Sequence, residues 1–255
     1  DRAAAATAWG GALAGLAGPT LVGGTGAAGQ REVAHELVVH ELDEEATRAL
    51  TARTAAHGLT LNTAVQGAWA VVLAELTGSQ DVVFGSSVSG RPPELPGVEG
   101  MVGLFTNTVP VRVRFSPGEP FDALLRRLQQ EQAALQPHDH LGLAEIQRAA
   151  GLRTLFDTTT LFVNYPMDPS AWEAALGGQL RMRTFEAADD THFPLRLAAV
   201  PGARLSLRLG HRPDAFGHEE ARRLVVRCAQ VLEAVALGAD PLLRDLSELV
   251  QEGTP

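Results

Sequence analysis

The sequence predicts an α/β fold in which a mixed sheet, covered by helices, forms a sandwich in one domain. Short segments with alternating apolar and polar residues recur along the chain, and this alternation is typical of strands. Between them lie longer segments whose apolar residues recur at helical spacing. Counting both kinds of segment gives roughly seven strands and five or six helices.

The composition bounds the class of protein. A chain of 255 residues with 45% hydrophobic residues can bury a sizeable core. All 21 basic residues are arginine, the net charge is −9, and the arginines are scattered among acids, which argues against a nucleic-acid-binding surface. The single cysteine, Cys228, is predicted to be a buried, inert thiol, and one cysteine without an internal disulfide fits a reducing cytoplasm. We expect neither a signal peptide nor a membrane span of ~20 apolar residues.

The first part of the chain combines a helix, a linker and a strand. Residues 7–16 are predicted to end a helix, which Gly18 and Pro19 close. Residues 21–30 are glycine-rich and predict a flexible linker, because their glycines lack the spacing of a dinucleotide-binding loop. Residues 32–42 alternate as a strand does.

Four helices and two strands follow. Asp43 is expected to cap a helix that ends at Gly58, and a second, buried helix is expected to begin at Asn62 or Thr63. The next elements are two strands around a Pro/Gly-rich loop and then two helices. They are predicted at Asp81–Val88 (strand), 91–100 (loop), 107–115 (strand), 120–136 (helix) and 143–150 (helix).

The last third of the chain is predicted to hold four strands and two helices. The strands are residues 158–165, 180–186, 193–200 and 204–211, and the helices are residues 218–237 and 241–250. A Pro201-Gly202 turn is expected to join the last two strands as a hairpin.

One stretch is similar to a known family. Residues 81–114 read DVVFGSSVSGRPPELPGVEGMVGLFTNTVPVRVR. This sequence resembles the second half of a condensation domain from a non-ribosomal peptide synthetase, where a Ser-Gly-Arg turn, an ELPGVE loop and a VGLF(I/T)NT motif lead into a PVRV strand. Four further segments resemble the family in the same order. They are 13–21 (LAGLAGPTL), 136–150 (QPHDHLGLAEIQRAA), 155–166 (LFDTTTLFVNYP) and 191–197 (THFPLRL).

The resemblance implies a lobe similar to chloramphenicol acetyltransferase, one of two that meet along a tunnel. Residues 1–30 would then be the end of an inter-lobe helix and a linker, and residues 31–255 the C-terminal lobe. In the family, donor and acceptor peptidyl carrier domains deliver phosphopantetheine-tethered thioesters, and a peptide bond forms between them. No cofactor would be bound directly, because the phosphopantetheine arm belongs to the partner carrier domains.

The family's catalytic HHxxxDG motif belongs to the first half of the domain, and this sequence contains no two adjacent histidines. We therefore expect the C-terminal half of an enzyme, with no catalytic residue of its own, inactive alone and completed by a missing N-terminal lobe. The apolar area left without that lobe predicts a homodimer through the exposed face.

The resemblance singles out two supporting residues. It implies that Arg91 reaches toward the Asp of the HHxxxDG motif and fixes the catalytic loop, whereas the alternative is an arginine solvated at a turn. It places Asn107 along the tunnel wall, whereas the alternative is an asparagine that caps the backbone at the start of a strand.

Other polar residues carry weaker hypotheses. His138 and His140 have no further ligand at metal-site spacing, so no metal site is predicted. Without a GxSxG elbow, a hydrolase triad around His192 is not expected. Trp69 is expected in the core. Two other functions stay open: a non-catalytic module that docks carrier domains, and a complete small acyltransferase that uses His192 or His138.

Overall fold

Six strands form one mixed sheet in the order β1-β6-β5-β4-β2-β3 in a computed structural model that describes residues 1–23, 33–91, 95–116, 118–163 and 192–237. The strands are β1 (Glu36–Glu41), β2 (Asp81–Val88), β3 (Asn107–Arg114), β4 (Thr158–Phe162), β5 (Leu195–Val200) and β6 (Ser206–His211). The pairs β1–β6, β5–β6 and β2–β3 are antiparallel, and β2–β4 and β4–β5 are parallel. The predicted mixed sheet and the β5–β6 hairpin are therefore confirmed.

Six α-helices accompany the sheet in the described part of the chain. They are α1 (Arg2–Ala12), α2 (Glu44–Ala56), α3 (Leu61–Thr77), α4 (Phe121–Leu135), α5 (Leu143–Ala149) and α6 (His218–Ala236). Short 3₁₀ turns lie at Val98–Gly100 and Gln136–His138. The predicted strand at 180–186 and the predicted helix at 241–250 lie outside the described residues.

Capping side chains explain where the helices begin. The Asp43 carboxylate accepts a hydrogen bond from the Ala46 amide at 2.7 Å, which confirms the predicted cap. The predicted start of α3 is one or two residues late, because the Thr60 hydroxyl caps the helix by accepting from the Thr63 amide at 3.1 Å. The first helix begins at Arg2, where the Asp1 side chain caps it, and it ends at Ala12, earlier than the predicted end near residue 16.

The strand predicted at Asp81–Val88 is observed with the same bounds, whereas the other predicted strands extend one to three described residues beyond the observed ends. Residues 33–35 precede β1, and β4 ends at Phe162, although the sequence alternates beyond both limits. A strand ends where its hydrogen-bonded pairing with a neighbouring strand ends. The alternation within one segment gives no information about that neighbour.

The sheet separates two hydrophobic clusters. Val82 and Phe84 join the larger cluster with α2, α3, α4 and α6, whereas Val83 joins the smaller cluster with α1 and α5. Alternate residues of β2 thus point to opposite faces, as strand geometry requires. Trp69 is fully buried in the larger cluster, as predicted. Helices on both faces confirm the predicted sandwich.

Cys228 also lies in the larger cluster and is fully buried. Burial raises the pKa of its thiol to about 12, so the sulfur stays protonated at neutral pH. The predicted burial of this thiol is confirmed.

The strand register defines two ends of the sheet. The upper end holds the last residues of β2, β4 and β5, where Val88 pairs with Asn107 and Val200 with Ser206. The lower end holds their first residues together with Glu36 and His211, which are paired across β1 and β6. The two ends carry different groups of polar side chains.

No single helix in the described ranges is long and apolar enough to cross a membrane. Among these helices, α2 and α3 taken together are long and apolar enough for a span, but they are bent by 106° relative to each other. Much of α3 is buried inside the larger cluster, as a core helix is.

Candidate functional site

The connection from β2 to β3 at the upper end is organised by Arg91. We call residues 89–91 and 95–106 the Arg91 loop. The guanidinium donates one hydrogen bond to the carbonyl oxygen of Val98 and another, of 3.0 Å, to that of Met101. Its central carbon lies 4.3 Å from the centroid of the Phe105 ring, in cation–π range. Arg91 therefore fastens the two sides of its own loop together.

The residue before Arg91 must be glycine for a steric reason. Gly90 has a φ of +58°, and a Cβ atom added there would lie 1.9 Å from the carbonyl oxygen of Phe105. A flexible side chain could move to relieve such a clash, but this carbonyl oxygen is part of the backbone and cannot. The close approach of these two backbone segments aims Arg91 into the loop.

The tip of the Arg91 loop exposes large apolar side chains to water. Val102 and Leu104 are fully exposed, and Leu95 and Met101 are exposed to a lesser degree. Exposed apolar residues that cluster in one loop mark an interaction surface more often than those scattered singly. This loop is the part of the described upper end best suited to contact another protein surface.

Asn107 ties the start of β3 to the segment after α4. Its amide nitrogen donates to the carbonyl oxygens of Asp139 and Leu141, at 2.7 and 2.9 Å, and its side-chain oxygen accepts from the Thr108 amide at 2.9 Å. These are the backbone-capping contacts of the alternative interpretation. A position along a tunnel wall stays a prediction.

Asp139 adds a titratable group to this junction. Burial raises the pKa of its carboxyl from 3.8 to about 6. The side chain therefore exchanges a proton between weakly acidic and neutral pH, unlike an ordinary surface aspartate.

Arg91 and Asn107 lie at the same end of the sheet because β2 and β3 form an antiparallel pair. Both make their observed contacts within this chain. The role of Arg91 toward the Asp of an HHxxxDG motif involves a second lobe and remains a prediction.

The histidines considered for catalysis are not gathered together. His192 lies just before β5 at the lower end, with its ring 4.1 Å from that of Phe193. The backbone oxygen of His138 accepts from the Trp9 indole at 3.1 Å, and Nδ1 of His140 donates to the carbonyl oxygen of Pro137 at 3.1 Å. Within the described residues, neither His138 nor His140 belongs to a group of three potential metal ligands.

The structure reveals two features that the sequence did not indicate. A groove of about 270 Å³ lies along the outer edge of β3, between α1 and α4. Arg112 lines it, and its guanidinium binds Asp81 and the carbonyl oxygens of Ala12 and Ala14. At the lower end, Glu36, His211 and His218 converge. No local pattern joins these three residues, because they belong to two strands and a helix.

The fold and the loop define the described part of the chain as an α/β sandwich with an exposed apolar loop at one end of its sheet. A family model described as the condensation domain matches residues 3–254, which is nearly the whole chain. The chain therefore belongs to the condensation domain family of non-ribosomal peptide synthetases, and the similarity to chloramphenicol acetyltransferase in fold is confirmed.

Relatives in sequence agree with this assignment. The chain is 39% identical over 184 residues to the vanchrobactin synthetase VabF of Vibrio anguillarum, covering 72% of this chain and 6% of that protein. It is 30% identical over 253 residues to bacitracin synthase 3 of Bacillus licheniformis, covering 98% of this chain and 4% of that protein. The chain thus spans only a small part of the length of these synthetases.

Solved structures agree as well. The chain superposes with a TM-score of 0.75 and 20% identity on the first condensation domain of the calcium-dependent antibiotic synthetase, covering 96% of this chain and 53% of the other. The X-domain from teicoplanin biosynthesis gives a TM-score of 0.78 at 22% identity, with coverage of 96% and 56%. The chain spans about half the length of these solved structures.

Proposed function

We propose that this chain is the C-terminal half of a condensation domain that joins aminoacyl or peptidyl groups carried as thioesters during non-ribosomal peptide synthesis. The observation that carries the proposal is the match of nearly the whole chain to only about half the length of solved domains of this fold. The absence of HHxxxDG from the sequence supports the same interpretation, since that motif belongs to the other half.

The reaction is the aminolysis of a thioester. The acceptor's amine attacks the carbonyl carbon of the donor's thioester, a C–N bond forms, and the C–S bond breaks. The amine loses a proton to a base, and the thiolate of the phosphopantetheine arm leaves and takes up a proton. The base and the oxyanion support belong to the proposed N-terminal lobe, and this chain supplies walls and supporting contacts.

The Arg91 loop is the proposed contact with that lobe. The exposed Val102 and Leu104 would be buried against it. Among the described residues, the Arg91 side chain makes two hydrogen bonds, fewer than the five N–H donors of a guanidinium allow. The remaining donors suit a bond across the interface to the Asp of the HHxxxDG motif.

Peptide-bond formation with loaded donor and acceptor carrier proteins tests the proposal. The chain alone should give no dipeptidyl product. The same chain fused behind the N-terminal half of a related condensation domain should give product that disappears when the second His of HHxxxDG is replaced by Ala. Turnover by the chain alone would overturn the assignment as an incomplete half.

A second candidate function is a non-catalytic module that docks carrier domains, and the exposed apolar residues of the Arg91 loop support it. It predicts saturable binding of a carrier protein in a titration without the other lobe.

A third candidate is a complete small acyltransferase that uses an isolated histidine. If the chain alone forms product, loss of that product on replacing His192 or His138 by Ala would identify this function. Each of the three functions fits a cytoplasmic location.

A further inference from the structure

Three potential metal ligands meet at the lower end of the sheet, opposite the Arg91 loop. They are Glu36 at the start of β1, His211 at the end of β6 and His218 at the start of α6. One ligand atom from each lies within 4.8 Å of the other two. Pairing of Glu36 with His211 across β1 and β6 fixes two of the three positions.

The third position is held by the turn that joins β6 to α6. Arg212 and Asp214 form a salt bridge of 2.6 Å in this turn, and the Phe216 amide donates to the Arg212 carbonyl at 2.9 Å. The turn folds back, so that His218 stands beside His211 with their ring centroids 5.8 Å apart.

The hydrogen bond of His211 determines which of its nitrogens can bind a metal. Nδ1 lies 3.0 Å from the carbonyl oxygen of Phe216, and since a carbonyl only accepts, Nδ1 must donate. In the neutral ring, Nε2 then carries the lone pair. His211 is fully buried, and Nε2 has no hydrogen-bond partner among the described residues. A histidine whose second nitrogen donates to a backbone carbonyl is oriented as metal-binding histidines are.

The distances favour a metal over a direct hydrogen bond. A Glu36 carboxylate oxygen lies 3.7 Å from Nε2 of His211 and 3.6 Å from Nδ1 of His218. Both separations exceed the usual upper limit of about 3.2 Å for N–H···O hydrogen bonds. Ligand atoms about 2.1 Å from a tetrahedral Zn²⁺ stand about 3.4 Å from each other, so small side-chain movements would complete the geometry.

We propose that Glu36, His211 and His218 form a binding site for a borderline divalent cation such as Zn²⁺. Two imidazoles and one carboxylate are a donor set that zinc accepts, with a fourth position left for water. The cation would join the edge strand β1, the end of β6 and the first turn of α6. This site differs from the sequence-based expectation of no metal site, which considered His138 and His140.

The alternative is an ion pair that forms only when a histidine is protonated. The exposed members separate the two possibilities, because the side chains of Glu36 and His218 are about half exposed and their replacement should leave the fold intact. His211 is a poor test by itself, since replacing a buried residue also disturbs the core.

The experiment is a calorimetric titration of the metal-free full chain with ZnCl₂ at pH 7.5. Co²⁺ absorption serves as a second probe of tetrahedral nitrogen and oxygen ligation. We expect one ion per chain with a dissociation constant at or below about 10 µM, and a higher melting temperature with Zn²⁺. His218→Ala and Glu36→Gln should each weaken binding at least about tenfold, by removal of a direct ligand.

The control is His40→Ala, which removes a histidine from the same strand, β1, and should leave zinc affinity unchanged. Absence of saturable binding would overturn the proposal. Binding that survives both His218→Ala and Glu36→Gln, or that is lost in a His138→Ala/His140→Ala variant, would place the ion elsewhere and overturn it equally.

Discussion

At the scale of single residues, the Arg91 loop depends on a glycine and an arginine that act as one unit. Gly90 allows the backbone to pass close to the Phe105 carbonyl, and Arg91 then reaches the carbonyls of Val98 and Met101. The family resemblance identified Arg91 from the sequence. It did not reveal that the arginine binds its own loop, because those partners are backbone atoms with no residue-type signal.

Replacing Gly90 by Ala should disrupt this loop. Gly97→Ala is the matched control, since Gly97 also has a positive φ of 77° but no atom within 4 Å of the position that a Cβ would take. We expect Gly97→Ala to cost about 1 kcal/mol of unfolding free energy through φ alone, and Gly90→Ala to cost more. Urea unfolding measures both. Amide hydrogen exchange should quicken across the loop in the Gly90 variant, and equal effects of both substitutions would contradict the steric explanation.

Asp139 predicts a specific dependence of stability on pH. Because its pKa is raised from 3.8 to about 6 in the folded chain, the neutral carboxyl stabilises the fold below about pH 4, and this contribution is lost as the pH rises through 6. Asp139→Asn should therefore match the wild type at pH 4 and exceed its unfolding free energy by about 1 kcal/mol at pH 8. The value allows for solvent screening of a partly exposed group.

Thermal unfolding of both proteins from pH 4 to pH 8 measures this difference, and the pH 4 point serves as the internal control. The backbone carbonyl that Asn107 binds is unchanged by the substitution. A difference that stays constant across the pH range would contradict the role of the carboxyl.

At the scale of elements, periodicity predicted the six described strands and six helices, but ends and groupings needed the structure. Thr60 caps α3 through its side chain. The sequence did not distinguish it from Asn62 and Thr63, which were the predicted first residues of this helix. Glu36, His211 and His218 meet only because β1 pairs with β6. Alternation along one strand contains no information about its neighbour or its register.

Helices α3 and α6 are joined by an ion pair that should be sensitive to the loss of one partner. Arg227 donates to a Glu75 carboxylate oxygen at 3.0 Å, while the other oxygen is buried without a hydrogen-bond partner among the described residues. Burial raises the pKa of Glu75 to about 7, although Arg227 lowers it. The carboxyl is thus already costly to keep charged.

Arg227→Met should lower the unfolding free energy by about 2–3 kcal/mol, since Glu75 would remain buried without its cation. Replacing both, as Glu75→Leu with Arg227→Met, should recover most of that loss. Chemical denaturation measures the three variants. Arg222→Met is the control on the same helix: its partner Glu219 is exposed, so the cost should stay below about 0.5 kcal/mol. Similar costs for Arg222→Met and Arg227→Met would contradict the buried-pair explanation.

At the scale of the whole molecule, the two ends of the sheet carry different surfaces. The upper end exposes Val102 and Leu104, and the lower end holds the proposed cation site. An apolar loop tip that is fully exposed adds nothing to the stability of this fold. Its exposed apolar residues fit the proposed contact with a second lobe or, without that lobe, the predicted homodimer.

Val102→Ser combined with Leu104→Ser separates stability from association. Both side chains are fully exposed, so the unfolding free energy should change by less than about 0.5 kcal/mol. Product formation by the fusion with an N-terminal half should fall, and light scattering of the chain alone should show less dimer, because apolar area leaves the contact. Leu237→Ser is the matched control, since Leu237 is 87% exposed at the end of α6. If both variants reduce association equally, apolar exposure in general drives it, and the Arg91 loop is not the interface.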